Sequence, residues 1–149
     1  MQLSTNGLQF IKSFEGFKSS PYLDSANIPT IGYGTILYPN GTRVSMTDNP
    51  ITELLAEQFL LHDISQKTAG VEHVVAGSVN QNQFDALVSF AYNLGLGSLR
   101  GSTLLKLVNE NQFSDAADEF LKWNHAGGQV VAGLTRRRLA EQQLFLTPV

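Results

Sequence analysis

Three of the chain's five prolines, Pro21, Pro29 and Pro39, crowd into one window with Gly32, Gly34 and Gly41. Proline removes a backbone donor and clashes with the preceding helical turn, and glycine weakens a helix, so no helix can run through this window. On both sides of it, apolar residues recur at three- and four-residue steps, the period of an amphipathic helix. The chain must therefore fold as a helix, a small extended region, and then helices.

Residues 5–15 read as the first helix, capped by Thr5 or Asn6 and stopped by Gly16, with Leu8, Ile11 and Phe14 on one side. Tyr22 to Asp24 and Pro29 to Tyr33 read as a β-hairpin turning at Ser25-Ala26-Asn27, and Thr42 to Val44 as a third short strand. A sheet this small needs a helix to cover it. A long helix over 50–69 follows, with Thr47, Asp48 and Asn49 as caps, Pro50 as its first residue and Gly70 marking its end. Asn80 with Gln83 has the form of a capping box, and from residue 80 onward the pattern is helical only. The expected architecture is α+β: a three-stranded antiparallel β lobe over about 17–46, the connecting helix, and a helical lobe of 70–149 that includes helix 5–15. A cleft is expected between the lobes, within one domain of residues 1–149.

Composition narrows the chemistry. With 149 residues and 42% hydrophobic content, the chain can bury a core unaided, and it has no cysteine, which excludes disulfides, a thiolate nucleophile and Cys-ligated zinc. The histidines, His62, His73 and His125, show no ligand spacing, so no metal site is expected, and no cofactor is expected. A net charge of −3 lacks the basic excess of a nucleic-acid binder. No apolar run is long enough for a signal peptide or a membrane anchor, so a soluble, cytoplasmically made protein is expected; a monomer is expected as well. The run Arg136-Arg137-Arg138 reads first as a solvated helix face.

The stretch from Phe14 to Gly34 concentrates the reactive groups. Glu15 ends a helix, where the dipole disfavours its charge, and Phe14, Phe17 and Ile11 give it the apolar setting that suits a proton donor. Asp24 lies beside turn amides that favour its ionised form, and Thr30 offers a hydroxyl across the turn. Two groups of this kind are what glycosidic-bond hydrolysis requires: an acid for the leaving oxygen, and a base or nucleophile opposite. The residues alone do not decide which of those two roles Asp24 takes.

The spacing E-x8-D-x5-T, filled by Glu15, Asp24 and Thr30, with F-E-G before it and I-P-T-I-G-Y-G around its end, resembles the phage-type lysozymes of glycoside hydrolase family 24. So do N-Q-N-Q-F-D-A-L-V-S-F-A-Y-N-L-G at 80–95, G-S-T-L-L at 101–105, A-A-D-E-F-L-K-W at 116–123 and G-L-T-R-R-R-L-A-E-Q-Q-L-F at 133–145. The resemblance covers nearly the whole chain and is strongest to the lambdoid and Salmonella-phage endolysins.

It implies a lysozyme-like fold and a muramidase that cuts the β-1,4 bond between N-acetylmuramic acid and N-acetylglucosamine in peptidoglycan. Glu15 is then the general acid, and Asp24 and Thr30 position the water. Arg137 matches the arginine that pairs with the acid, whereas Arg136 and Arg138 stay on the solvated face. Tyr92 and Asn93 match an aromatic and an amide that contact the sugar, and Gly32, Tyr33 and Gly34 let the hairpin approach it. Trp123 is read as core. Release to the cell wall would be by a holin. Two alternatives use the same fold. A lytic transglycosylase cuts the same bond with one acid, and a non-catalytic wall-binding or virion module would have no use for the three motif residues.

Overall fold

Ser4 opens the first helix. Its side-chain oxygen accepts from the Gly7 amide at 3.0 Å, and α1 then runs Thr5–Glu15 in the computed structural model, which describes residues 1–149. Ser4 takes the cap in place of Thr5 or Asn6 because buried Asp85 holds it. Ser4 N donates to Asp85 Oδ1 at 3.1 Å and Ser4 Oγ donates to Oδ2. Gly7 fits this close approach, since a β-carbon there would stand 2.6 Å from the Asp85 carboxyl carbon. At the other end Gly16 adopts φ +65°, a left-handed conformation costly for residues with a β-carbon, and the helix stops at Glu15.

The chain divides into two compact units. The first comprises Ile11–Gln66. Its strands β1 (Lys18–Leu23) and β2 (Pro29–Gly32) pair antiparallel, with Tyr22 opposite Thr30, Leu23 opposite Pro29 and an irregularity between Lys18 and Tyr22. The expected third strand is reduced to a single bridge, Leu37 to Arg43, so the sheet has two strands. The chain there is drawn into turns, with Gly41 at φ +87°, the Tyr38 hydroxyl donating to Asp48 Oδ2 at 2.7 Å and the Ser45 amide to the same oxygen at 2.8 Å.

That use of Asp48 also corrects the start of the next helix. α2 spans Glu53–Val74, and Thr52 caps it, its Oγ1 accepting from the Leu55 amide at 3.2 Å. Pro50 and the earlier caps lie outside it. Gly70 does not end α2 but sits within it. A β-carbon at Gly70 would lie 2.3 Å from Leu96 Cδ2, so a bare backbone is needed there for packing.

The second unit comprises Met1–Phe10 and Lys67–Val149. Its centre is α3 (Gln81–Leu94), buried at every position from Gln83 to Ala91 and opened by a complete Asn80–Gln83 capping box. α7 (Ala132–Leu146) packs along α3, and α4 (Leu96–Arg100), α5 (Thr103–Asn109), α6 (Phe113–Glu119) and a 3-10 turn at Phe120–Lys122 complete the unit. Phe90, Phe120 and Phe145 interlock in its core, with successive ring centroids 5.8 and 5.4 Å apart. The helix-only expectation fails at one place. β3 (His125–Ala126) and β4 (Gln129–Val130) form a hairpin whose two-residue turn, Gly127-Gly128, has φ of +59° and +79°, the positive pair that a type I′ turn requires. No helix is long and apolar enough to cross a membrane.

The Tyr38–Asp48 tether gives a stability test. Burial, then the hydrogen bond to Asp48, pushes the Tyr38 phenol up from 10.0 to about 12. Between those pH values the unfolded chain gives up a proton that the folded chain keeps, so this contribution is complete below pH 10 and fades as pH climbs to 12. In melts across that range, Tyr38→Phe should lose stability less steeply than the unsubstituted protein. Parallel curves would contradict the tether.

Candidate active site

In the unit of Ile11–Gln66 the hairpin loop 24–28 is built around the backbone of one residue, Ile28. The Ile28 N–H donates to Asp24 Oδ1 at 3.0 Å, and the Ile28 carbonyl accepts both the Asp24 amide at 3.1 Å and the Thr30 hydroxyl at 2.8 Å. The Ala26 amide adds a second donor to Asp24 Oδ1 at 2.8 Å. An Asp that bonds amides two and four residues on folds its own turn, and Asn27, at φ +61°, closes it. Asp24 and Thr30 are thus brought together through Ile28. One carboxylate oxygen of Asp24 is held by two amides, while the other takes no protein donor. The hydroxyl proton of buried Thr30 is committed to Ile28, which leaves its oxygen as an acceptor.

Glu15 is half-buried at the end of α1. Tyr22, which sequence reasoning passed over, lies in the fields of both Glu15 and Asp24. Burial first, then the negative fields of Glu15 and Asp24, push the Tyr22 phenol up, so its hydroxyl senses both carboxylates. Lys18 Nζ lies 4.9 Å from the Tyr22 ring centre. The signal was available in the strand alternation: Tyr22 is two residues before Asp24 and stands opposite Thr30.

Gly32 and Tyr33 have structural work within this unit. The space beside Gly32 is filled by Ala56, whose Cβ would lie 2.9 Å from any added β-carbon. Tyr33 is buried, with its hydroxyl donating to Glu53 Oε1 at 2.7 Å and its ring under Lys12 Nζ at 5.3 Å. Gly34, half-buried at φ +94°, turns the chain after it.

In the other unit the Arg136–Arg138 run divides. Arg136 is exposed, but Arg138 is wholly buried, which corrects its place on a solvated face. Glu141 draws it in. Arg138 Nε stands 2.6 Å from Glu141 Oε1, an ion pair too bent to be a hydrogen bond, and Arg138 Nη2 donates to Oε2 at 3.1 Å. Arg137 Nε lies 3.3 Å from the same Oε2, and the Ser89 hydroxyl donates to it at 2.6 Å. Burial pushes the Glu141 carboxyl up and the Arg138 guanidinium down, and their mutual attraction opposes both shifts. The run's spacing to Glu141, three and four residues along a helix, was the signal for this inward face.

Arg138 also reaches the candidate binding residues. Its Nη2 donates to Asn93 Oδ1 at 2.8 Å and its Nη1 to the Trp123 carbonyl at 3.4 Å. Asn93 is exposed and Tyr92 half-buried. Trp123 is half-buried rather than core, edge-on to Phe90 at 5.4 Å. His62, His73 and His125 are all exposed.

A family model described as phage lysozyme matches residues 12–141. The endolysin of Salmonella phage P22 is 37% identical over 147 residues, 99% of each chain. The endolysin of Bacillus phage B103 is 46% identical over 99% of this chain, and the chain spans 55% of that relative's length. A solved endolysin from Escherichia coli O157:H7 phage FAHEc1 superposes with a TM-score of 0.92 at 41% identity, covering 98% of this chain and 94% of the other.

The buried charge cluster yields a stability prediction. Glu141→Gln keeps the shape but takes from the buried Arg138 guanidinium the carboxylate it pairs with. That should cost about 3–5 kcal/mol, a fall of roughly 10 °C in Tm. Calorimetry showing a loss under about 1 kcal/mol would contradict the cluster's role.

Proposed function

The chain belongs to the phage lysozyme family, and on that footing we propose that it is an endolysin muramidase, hydrolysing the β-1,4 bond between N-acetylmuramic acid and N-acetylglucosamine in peptidoglycan. The observation that carries this reading is the state of Asp24 and Thr30. Asp24 keeps one oxygen without a protein donor, and the Thr30 hydroxyl can only accept once its proton is given to Ile28. A water that donates one hydrogen to each of them has a lone pair directed away from both. That is the nucleophile an inverting hydrolysis needs, with Asp24 taking its proton as the bond to the sugar forms.

Glu15 gives its proton to the departing glycosidic oxygen, so no charged leaving group has to form. Tyr92 and Asn93 contact the glycan, Gly32 to Gly34 contribute backbone, and Arg137 is the supporting cation. The substrate places the enzyme's work at the cell wall. Holin-dependent release from the host cytoplasm and a monomeric state belong to the same reading, which requires no cofactor.

A water-activating pair favours hydrolysis over transglycosylation, which uses no water. Digested peptidoglycan should therefore carry ordinary reducing ends, and anhydromuramic ends in its mass spectrum would overturn the hydrolase. Glu15→Gln and Asp24→Asn should each lower the rate of clearing cell-wall suspensions by about 10²–10⁴-fold without a matching loss of Tm. Thr30→Val should also lose activity, and Thr30→Ser should recover most of it. Full activity in Glu15→Gln would sink the assignment.

A further inference from the structure

An asparagine side chain has two faces of opposite hydrogen-bonding character, and which one it shows to a ligand depends on what holds the other. Here the holder is an arginine, which has donors and no acceptor, so the Asn93 oxygen must face Arg138 Nη2, at 2.8 Å. The amide cannot reverse without setting N–H against N–H. Asn93 Nδ2 is then directed to the exposed side with no acceptor in the protein.

Arg138 is itself held from several directions. Its guanidinium is fully buried against Glu141, donates to the Trp123 carbonyl at 3.4 Å, and lies 5.4 Å from the centre of the Phe90 ring. A guanidinium fixed by a carboxylate, a carbonyl and a ring face has little rotational freedom left, and its remaining Nη2 proton direction is set by those contacts.

We propose that Arg138 is a positioning residue for substrate: it locks Asn93 as a hydrogen-bond donor, so that Asn93 recognises an acceptor oxygen of the glycan, such as an acetamido carbonyl. This rests on the proposed contact between Asn93 and the glycan, and it adds which atom makes that contact and what fixes it. The arrangement needs no movement on binding, since the donor is already aimed before the sugar arrives.

Two substitutions at Asn93 and one at Arg138 test this with solubilised peptidoglycan strands as substrate. Asn93→Ala removes the donor, and Asn93→Asp replaces it with an acceptor while keeping a partner for Arg138. Both should raise KM about tenfold, the usual worth of one hydrogen bond to a ligand, with kcat little changed. Asn93→Asp should do so without lowering Tm, because a carboxylate beside Arg138 is at least as good a partner. Arg138→Lys keeps the charge but loses the fork, so it should raise KM several-fold, and that increase should vanish when Asn93 is already Ala.

An Asn93→Asp variant with unchanged KM would overturn the proposal. So would an Arg138→Lys penalty of the same size in the Asn93→Ala background. These outcomes are separable from failure of the muramidase reading, because Glu15→Gln would still abolish cleavage if only the role of Arg138 were wrong.

Discussion

A polar group taken out of water must be met inside the protein, and this constraint governs the chain more than its apolar pattern does. α3 shows it most directly. Being buried along nine successive residues, it carries Gln83, Asp85 and Ser89 into the interior with its apolar side chains. Each of these is answered. Gln83 closes the capping box, Asp85 receives Ser4 and Gln81, and Ser89 donates to Glu141. The answers fix the start of α1 and bring the inner face of α7 against α3. Glu141 brings two arginines with it, and one of them sets the orientation of Asn93.

The hairpin obeys the same constraint on a smaller scale. Ile28 uses both its N–H and its carbonyl on Asp24 and Thr30, so two side chains of a short hairpin are positioned by the backbone of a single residue. Because each partner's capacity is partly used, what remains is chemically defined. One oxygen of Asp24 and one oxygen of Thr30 are left as acceptors.

How much of this was legible in the sequence depended on which atoms did the work. α1, the capping box at Asn80 and the hairpin around Asp24 were readable because side-chain type and local spacing determine them. Ile28 was not, since it acts through its backbone and its side chain carries no signal. Arg138 was misread because three adjacent arginines do not reveal which faces inward; that is decided by Glu141, one turn on. Gly70 was taken for a helix stop, a local rule overridden by Leu96 filling its space. Gly127-Gly128 was read as a separator between helices, because strands of two residues are too short to show a period. Thr42 to Val44 had strand-forming residues, but the turns at Gly41 and Asp48 left it one bridge.

In the proposed function Asp24 and Thr30 hold a water by its two hydrogens, so that the water itself attacks the sugar. The most direct measurement is proton NMR of the new reducing end in the first moments of cleavage of a soluble β-1,4 glycan. Direct attack by water inverts the anomeric carbon, so the α-anomer must appear first and then mutarotate toward the equilibrium mixture. First appearance of the β-anomer would mean a covalent intermediate on the protein, and a water held between Asp24 and Thr30 could not then be the group that first attacks the sugar.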